Sequence, residues 1–156
     1  MAKLDIEALL ERVKQNGHDV WIAGQQSEED VAILEAALQV RLPPSYRQFL
    51  LRYGAMSIYD TTISGITNGQ PLYLNVSSIY YATTNFRQEQ DLPDHLIVVE
   101  PDDEAPYCFD TRYPDADGEF SLNCYELYSG ADGKIADNFP QFIVKWFLET
   151  WAEEKA

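Results

Sequence analysis

Residues 27–54 read S-E-E-D-V-A-I-L-E-A-A-L-Q-V-R-L-P-P-S-Y-R-Q-F-L-L-R-Y-G. This stretch predicts two short helices joined by a proline-stiffened turn. Ser27 is a helix cap, with Asp30 three residues on as an imperfect capping-box acid. Val31, Leu34 and Leu38 form an apolar stripe at helical spacing, widened by Ile33 and Ala37. Leu42-Pro43-Pro44 ends that helix and starts the next, because proline fits a first turn where its missing N–H costs nothing. Tyr46, Phe49, Leu50 and Tyr53 then recur at i, i+3, i+4 and i+7, and Gly54 stands where a left-handed cap is wanted. Nothing here suggests chemistry; the pattern is one of packing.

An acidic residue (Glu35), Leu38, the run L-P-P-S-Y-R-x-F-L and a closing Tyr53-Gly54 resemble the signature of the SUKH superfamily of immunity and cell-wall-regulator proteins. Further matches follow in order. They are Ile63-Ser64-Gly65-Ile66, the L-P-x-x-L-I-V-V run of residues 92–99, Tyr107-Cys108-Phe109-Asp110, and Asn138-Phe139-Pro140-Gln141-Phe142. The resemblance spans roughly residues 20 to 150. One departure is that Ala55-Met56-Ser57 follows the Tyr-Gly pair, where family members more often carry glycines.

Working outward, M-A-K-L-D-I-E-A-L-L-E-R-V at the N-terminus is amphipathic, with Ile6, Leu9, Leu10 and Val13 on one face. It reads as a helix, since a secretory signal needs an uninterrupted apolar core. Residues 59–66 have the β-branched content of a strand, and Asn68-Gly69 offers a tight turn. Residues 72–74 make a short strand. Residues 76–88 have mixed signals, and the resemblance favours a helix there. Strands are expected at Leu96–Glu100, 107–111, 120–123 and 124–128, with turns at 115–118 and 131–133. Phe139, Phe142, Ile143, Trp146, Phe147 and Thr150 share one face of a last helix capped by Asn138. The expected fold is α+β: a mainly antiparallel sheet with N-terminal helices and a C-terminal helix packed on it, as one domain over residues 1–156.

With 156 residues, a core of ordinary size forms without disulfides or metal. A content of 46% hydrophobic and 13% aromatic residues excludes a disordered chain. No apolar run is long enough to span a bilayer. Cys108 and Cys124 lack C-x-x-C spacing and read as buried free thiols, with a bridge between adjacent strands as the second reading. With no export signal, a cytoplasmic location is expected.

The net charge of −15 is unevenly placed. Residues 1–56 hold eight acids and six bases, whereas residues 89–137 hold fourteen acids against Arg112 and Lys134. Such a field repels nucleic acid and anionic membranes and attracts basic protein surfaces. Tyr107, Tyr113, Phe120, Tyr125 and Tyr128 are interleaved with these acids, a composition suited to recognition.

Signals for catalysis are few. His18 and His95 both read as solvated loop residues, and there is no nucleophile elbow, phosphate loop or dinucleotide fingerprint. Asp115-x-Asp117-Gly118 has part of a calcium-loop pattern. Alignment puts Tyr113 at position 1 and Cys124 at position 12, which excludes an EF-hand. A looser oxygen-ligand site from Asp102, Asp103, Glu104 and Asp110, serving a carboxylate-cluster hydrolase, is the minor alternative.

The resemblance implies a non-enzymatic immunity protein that binds a cognate toxin domain, often a nuclease, without a cofactor. A wall-regulator type of scaffold is the second reading. The basic groove of a nuclease suits an acidic inhibitor. Local charge nominates Asp102, Asp103, Glu104, Asp115, Asp117 and Glu119 as steering residues, with Tyr113 as an anchor.

Overall fold

The computed structural model describes residues 4–75 and 77–153. Residues 1–3 of the predicted first helix, and Val76 of the predicted 76–88 helix, lie outside the described residues. Helix α1 (Glu7–Gln15) leads into strand β1 (Val20–Ile22), then α2 (Glu28–Leu38) and α3 (Pro44–Arg52). Strands β2 (Met56–Ile58) and β3 (Thr61–Ile63) precede α4 (Ile79–Glu89). Four more strands follow: β4 (Leu96–Glu100), β5 (Tyr107–Asp110), β6 (Ser121–Tyr125) and β7 (Asp132–Ala136). The chain closes with α5 (Phe139–Phe142), a π-helical stretch (Ile143–Leu148) and α6 (Glu149–Glu153), which run on as one helix. Two antiparallel sheets result, ordered β1-β2-β3 and β4-β5-β6-β7, so the fold is α+β as expected.

Local chemistry explains the helical pair. The Ser27 hydroxyl accepts the Asp30 N–H at 3.1 Å, capping α2. Glu35 then reaches past the end of its own helix. Its carboxylate accepts the Leu42 N–H at 2.7 Å and pairs with Arg47 at 2.7 Å, clamping the proline turn. Tyr46, fully buried, donates its hydroxyl to the Ser64 carbonyl at 2.6 Å and packs edge-on against Phe109 and Phe139. Side chains of this size contribute about 1.5–3 kcal/mol each when fully buried.

Gly54 takes φ +75°, the left-handed geometry expected of it, and its carbonyl accepts the Ile66 N–H at 2.9 Å. That places Gly65 so close that a Cβ there would lie 1.7 Å from the Gly54 oxygen. The two glycines therefore weld the end of α3 to the segment leaving β3. The three-stranded sheet continues toward the other through Ser64 N–H, which donates to the Val99 carbonyl at 2.8 Å.

The principal core lies between the helices and one face of the four-stranded sheet, where Ile97, Val99, Phe109 and Leu122 meet Phe139, Phe142 and Phe147. A smaller core lies under α4, formed by Ala82, Phe86 and Leu92 against Leu96, Val98 and Cys108. Strand β4 is thus covered on both faces, which is why it reads as an unbroken apolar run. At the termini, α1 packs on α6, and Asn16 donates to the carbonyls of Trp151 (2.9 Å) and Ala152 (2.8 Å). Both carbonyls belong to the last described turn of α6.

Several boundaries differ from expectation. Of the strand expected over 59–66, only Thr61–Ile63 (β3) forms one; Tyr59, at φ +55°, stands in the turn that folds β3 back onto β2, Met56–Ile58. Residues 72–74 form no strand. The two strands expected over 120–128 are a single one, β6, and the sequence taken as a turn at 131–133 begins β7. Asn68 and Gly69 do form the tight turn, both at positive φ.

Candidate partner-binding surfaces

Antiparallel order decides where the acids go. Successive turns of the β4-β5-β6-β7 meander alternate between the two ends of the sheet. The β4–β5 turn carries Asp102, Asp103 and Glu104, and the β6–β7 turn carries Glu126. Their backbones meet where Leu127 N–H donates to the Glu104 carbonyl at 2.9 Å. The β5–β6 connection, with Tyr113, Asp115, Asp117 and Glu119, lies at the opposite end. Strand β5, Tyr107–Asp110, runs from one end to the other, a rise of about 13 Å. The nominated residues therefore form two groups.

At the first end, Asp102 and Asp103 line a cleft with Asp60 from the β2–β3 turn and with Tyr81, Asn85 and Phe86 of α4. No Lys or Arg lines it. Asp102 is partly committed to structure, accepting the backbone N–H groups of Glu104 and Ala105 at 2.9 Å each. Asp103 and Glu104 are exposed. Glu100 ends β4 beside them with one carboxylate oxygen buried and unbonded. Burial first, and the Asp102 charge second, push its pKa up from the ordinary 4.5 to about 7. Tyr128, on the β6–β7 turn, is almost wholly exposed.

At the second end, Asp115 accepts the N–H groups of Asp117 (2.8 Å) and Glu119 (3.0 Å), shaping the loop. Tyr113 is 73% exposed, as expected, with the Arg112 guanidinium 5.2 Å above its ring. Arg41 shares the adjoining groove with Asp115 and Asp117, so positive charge is mixed in here. Glu119 is withdrawn from the surface: it is 1% exposed. Its carboxylate accepts the Ser45 N–H at 3.0 Å and the Ser45 hydroxyl at 2.6 Å. It caps α3, whose own cap position is Pro43 and supplies no side-chain acceptor. A steering role for Glu119 is therefore withdrawn.

A third polar group, which joins Asp110 and His95 in a way the sequence did not signal, lies on the α4 side of the sheet. Asp110, buried, takes two bonds from the Arg112 side chain (3.0 and 2.8 Å) and one from Asn123 (3.2 Å). The Arg112 hydrogen bonds, working against burial, hold its pKa below the usual carboxylate value. Asn123 also donates to Asp132 at 2.8 Å, and His95 Nε2 lies 3.0 Å from the same carboxylate. His95 is thus half-buried and paired, not simply solvated. His18 likewise stacks edge-on between Tyr59 and Trp151.

These contacts bind the network to itself, and His95 Nε2 faces a carboxylate rather than a hydroxyl. Asp110 is engaged with Arg112 at the end of β5 away from Asp102, so the looser ligand set of four does not assemble. Among the described residues, no group of three or more His, Cys, Asp or Glu side chains is placed to hold a metal ion. Cys108 and Cys124 are free thiols. No helix among the described residues is long and apolar enough to cross a membrane.

The family model described as SMI1-KNR4 cell-wall, SUKH_5, matches residues 6–149. The chain belongs to this family. Among solved structures, it is similar to a protein from Pseudomonas syringae pv. tomato, with a TM-score of 0.63 at 17% identity. That match covers 92% of this chain and 98% of the other, and it speaks for the fold. The Glu35 clamp, the proline turn and the Gly54–Gly65 contact all lie within the matched span.

Proposed function

We propose that this SUKH_5 chain is a non-enzymatic binding protein that neutralises a cognate basic toxin domain by occluding it. Members of the family are commonly toxin immunity proteins, and the proposal extends that role to this chain. The observation that carries it is the anionic end of the sheet. There Asp60, Asp102 and Asp103 line a cleft without Lys or Arg, and Glu104 and Glu126 stand on the two adjoining turns joined by the Leu127–Glu104 backbone bond. Exposed carboxylates concentrated in this way steer a cationic surface and accelerate encounter, more than they add to final affinity. The acids at the opposite end, Asp115 and Asp117, sit beside Arg41 and contribute less. Tyr113 remains a proposed anchor for that end alone.

The test begins with a small basic domain encoded next to this chain's gene, purified with it and followed by stopped-flow association. Asp102→Lys with Asp103→Lys and Glu104→Lys should slow association by about tenfold or more at low salt and flatten its salt dependence. Asp115→Lys with Asp117→Lys should change it by less than half as much on a logarithmic scale. Equal effects from the two ends, or none from either, refute the assignment.

A further inference from the structure

From Thr61 to Phe86 the chain carries no Asp, Glu, Lys, Arg or His, although its net charge is −15. The middle of this neutral stretch leaves the Asn68-Gly69 turn and runs beside α2. Ile33 of α2 lines a shallow groove with Pro71, Leu72, Tyr73 and Leu74. Ile33 is 41% exposed, Leu72 42% and Leu74 69%. The solvent side of α2 next to Ile33 is Ala32, Ala36 and Ala37, all exposed. Single exposed apolar side chains are ordinary, but a contiguous patch with a polar border marks an interaction surface.

Charge at the border selects the occupant. Glu28, Glu29 and Asp30 occupy the first turn of α2, and the helix has no Lys or Arg. The Asp30 carboxylate reaches over the Gly69 turn, within 3.7 Å of where a Cβ on that glycine would stand. A helix N-terminus offers only about half a positive charge, so most of this negative charge is unanswered. A second copy of the chain would bring the same acidic turn and another net −15 to the contact.

We infer that this face docks an amphipathic segment of a partner protein, its apolar side chains in the groove between Ile33 and Leu74 and its Lys or Arg side chains against Glu28, Glu29 and Asp30. The inference rests on the proposed binding role only in taking the occupant to be a protein. It shares no residue with the anionic end of the sheet. Steering acids and an apolar anchor are separate requirements of tight association, because hot spots are desolvated apolar contacts and long-range attraction is not.

The test uses the full chain with labelled Ile and Leu methyl groups, titrated with a synthetic helical peptide of leucine and lysine having one apolar face. Shifts are expected at the methyls of Ile33, Leu72 and Leu74. Ile33→Glu combined with Leu74→Asp, both at exposed positions, should weaken binding about tenfold or more while thermal melting is retained. A leucine–glutamate peptide should fail to bind. The inference is overturned if a serine–lysine peptide of equal charge binds as well, if the shifts fall elsewhere, or if the double variant binds unchanged. Concentration-dependent self-association burying the same methyls also overturns it. Because the readout is a methyl shift and not toxin neutralisation, failure of the toxin reading leaves this result standing, and the converse holds.

Discussion

Replacing Glu100 by Gln tests the account of the anionic end most directly. In the folded chain Glu100 holds its proton up to about pH 7, against an ordinary value of 4.5, because burial leaves its carboxylate short of solvent. The unfolded chain releases that proton near 4.5. Between those values the native state binds more protons than the unfolded one, so stability falls as pH rises through the window. At about 1.4 kcal/mol per pH unit, the ionised carboxylate costs the wild type about 3 kcal/mol by pH 8. Gln carries no charge and escapes this, although its amide inherits an unbonded position worth about 1–2 kcal/mol. The expected result is that Glu100→Gln is more stable than wild type by about 1–2 kcal/mol at pH 8 and less stable by about 1 kcal/mol near pH 4.5. Urea unfolding at both pH values measures it, and thermal midpoints should move a few degrees in the same sense. If the two proteins differ by the same amount at both pH values, Glu100 titrates normally and the reasoning fails.

Two further substitutions probe the framework. Glu119→Ala should destabilise the chain by about 2–4 kcal/mol in urea unfolding, since it strands the buried Ser45 N–H and hydroxyl; a cost below about 0.5 kcal/mol, typical of a surface acid, would restore it to the surface. Gly65→Ala forces its new Cβ to 1.7 Å from the Gly54 oxygen, so a loss of more than about 4 kcal/mol, or failure to accumulate folded protein, is expected; a folded variant with wild-type melting would deny that the two backbones touch.

What the sequence disclosed about the fold tracks how local the deciding forces are. The α2–α3 pair was legible because Ser27, Pro43-Pro44 and Gly54 each act on their own turn of chain. β7 was not, since Asp132-Gly133-Lys134 has turn chemistry and no β-branched residue. It is a strand because β6 offers it an unpaired edge, and charged residues are common on edge strands that must not recruit others. The turn at Tyr59 is equally silent: a tyrosine at positive φ leaves no mark beside a run of Thr and Ile. Tertiary pairing decided both cases.

For the site, the acid count was legible and its arrangement was not. A sequence places Asp102 and Asp115 thirteen residues apart in one acidic segment, but an antiparallel meander sends consecutive turns to opposite ends, so membership of one segment becomes distance in space. Glu119 adds a second lesson. Its neighbours Asp115 and Asp117 made it look like surface charge, yet the clue to its burial lay at residue 43. A helix that begins Pro-Pro has no side chain of its own to accept its first free N–H, so an acceptor must arrive from elsewhere. Glu119 is that acceptor. Two acids that read alike in the chain, Glu104 and Glu119, thus part company on one physical question. The first finds solvent and is available to a partner; the second finds a donor and becomes framework.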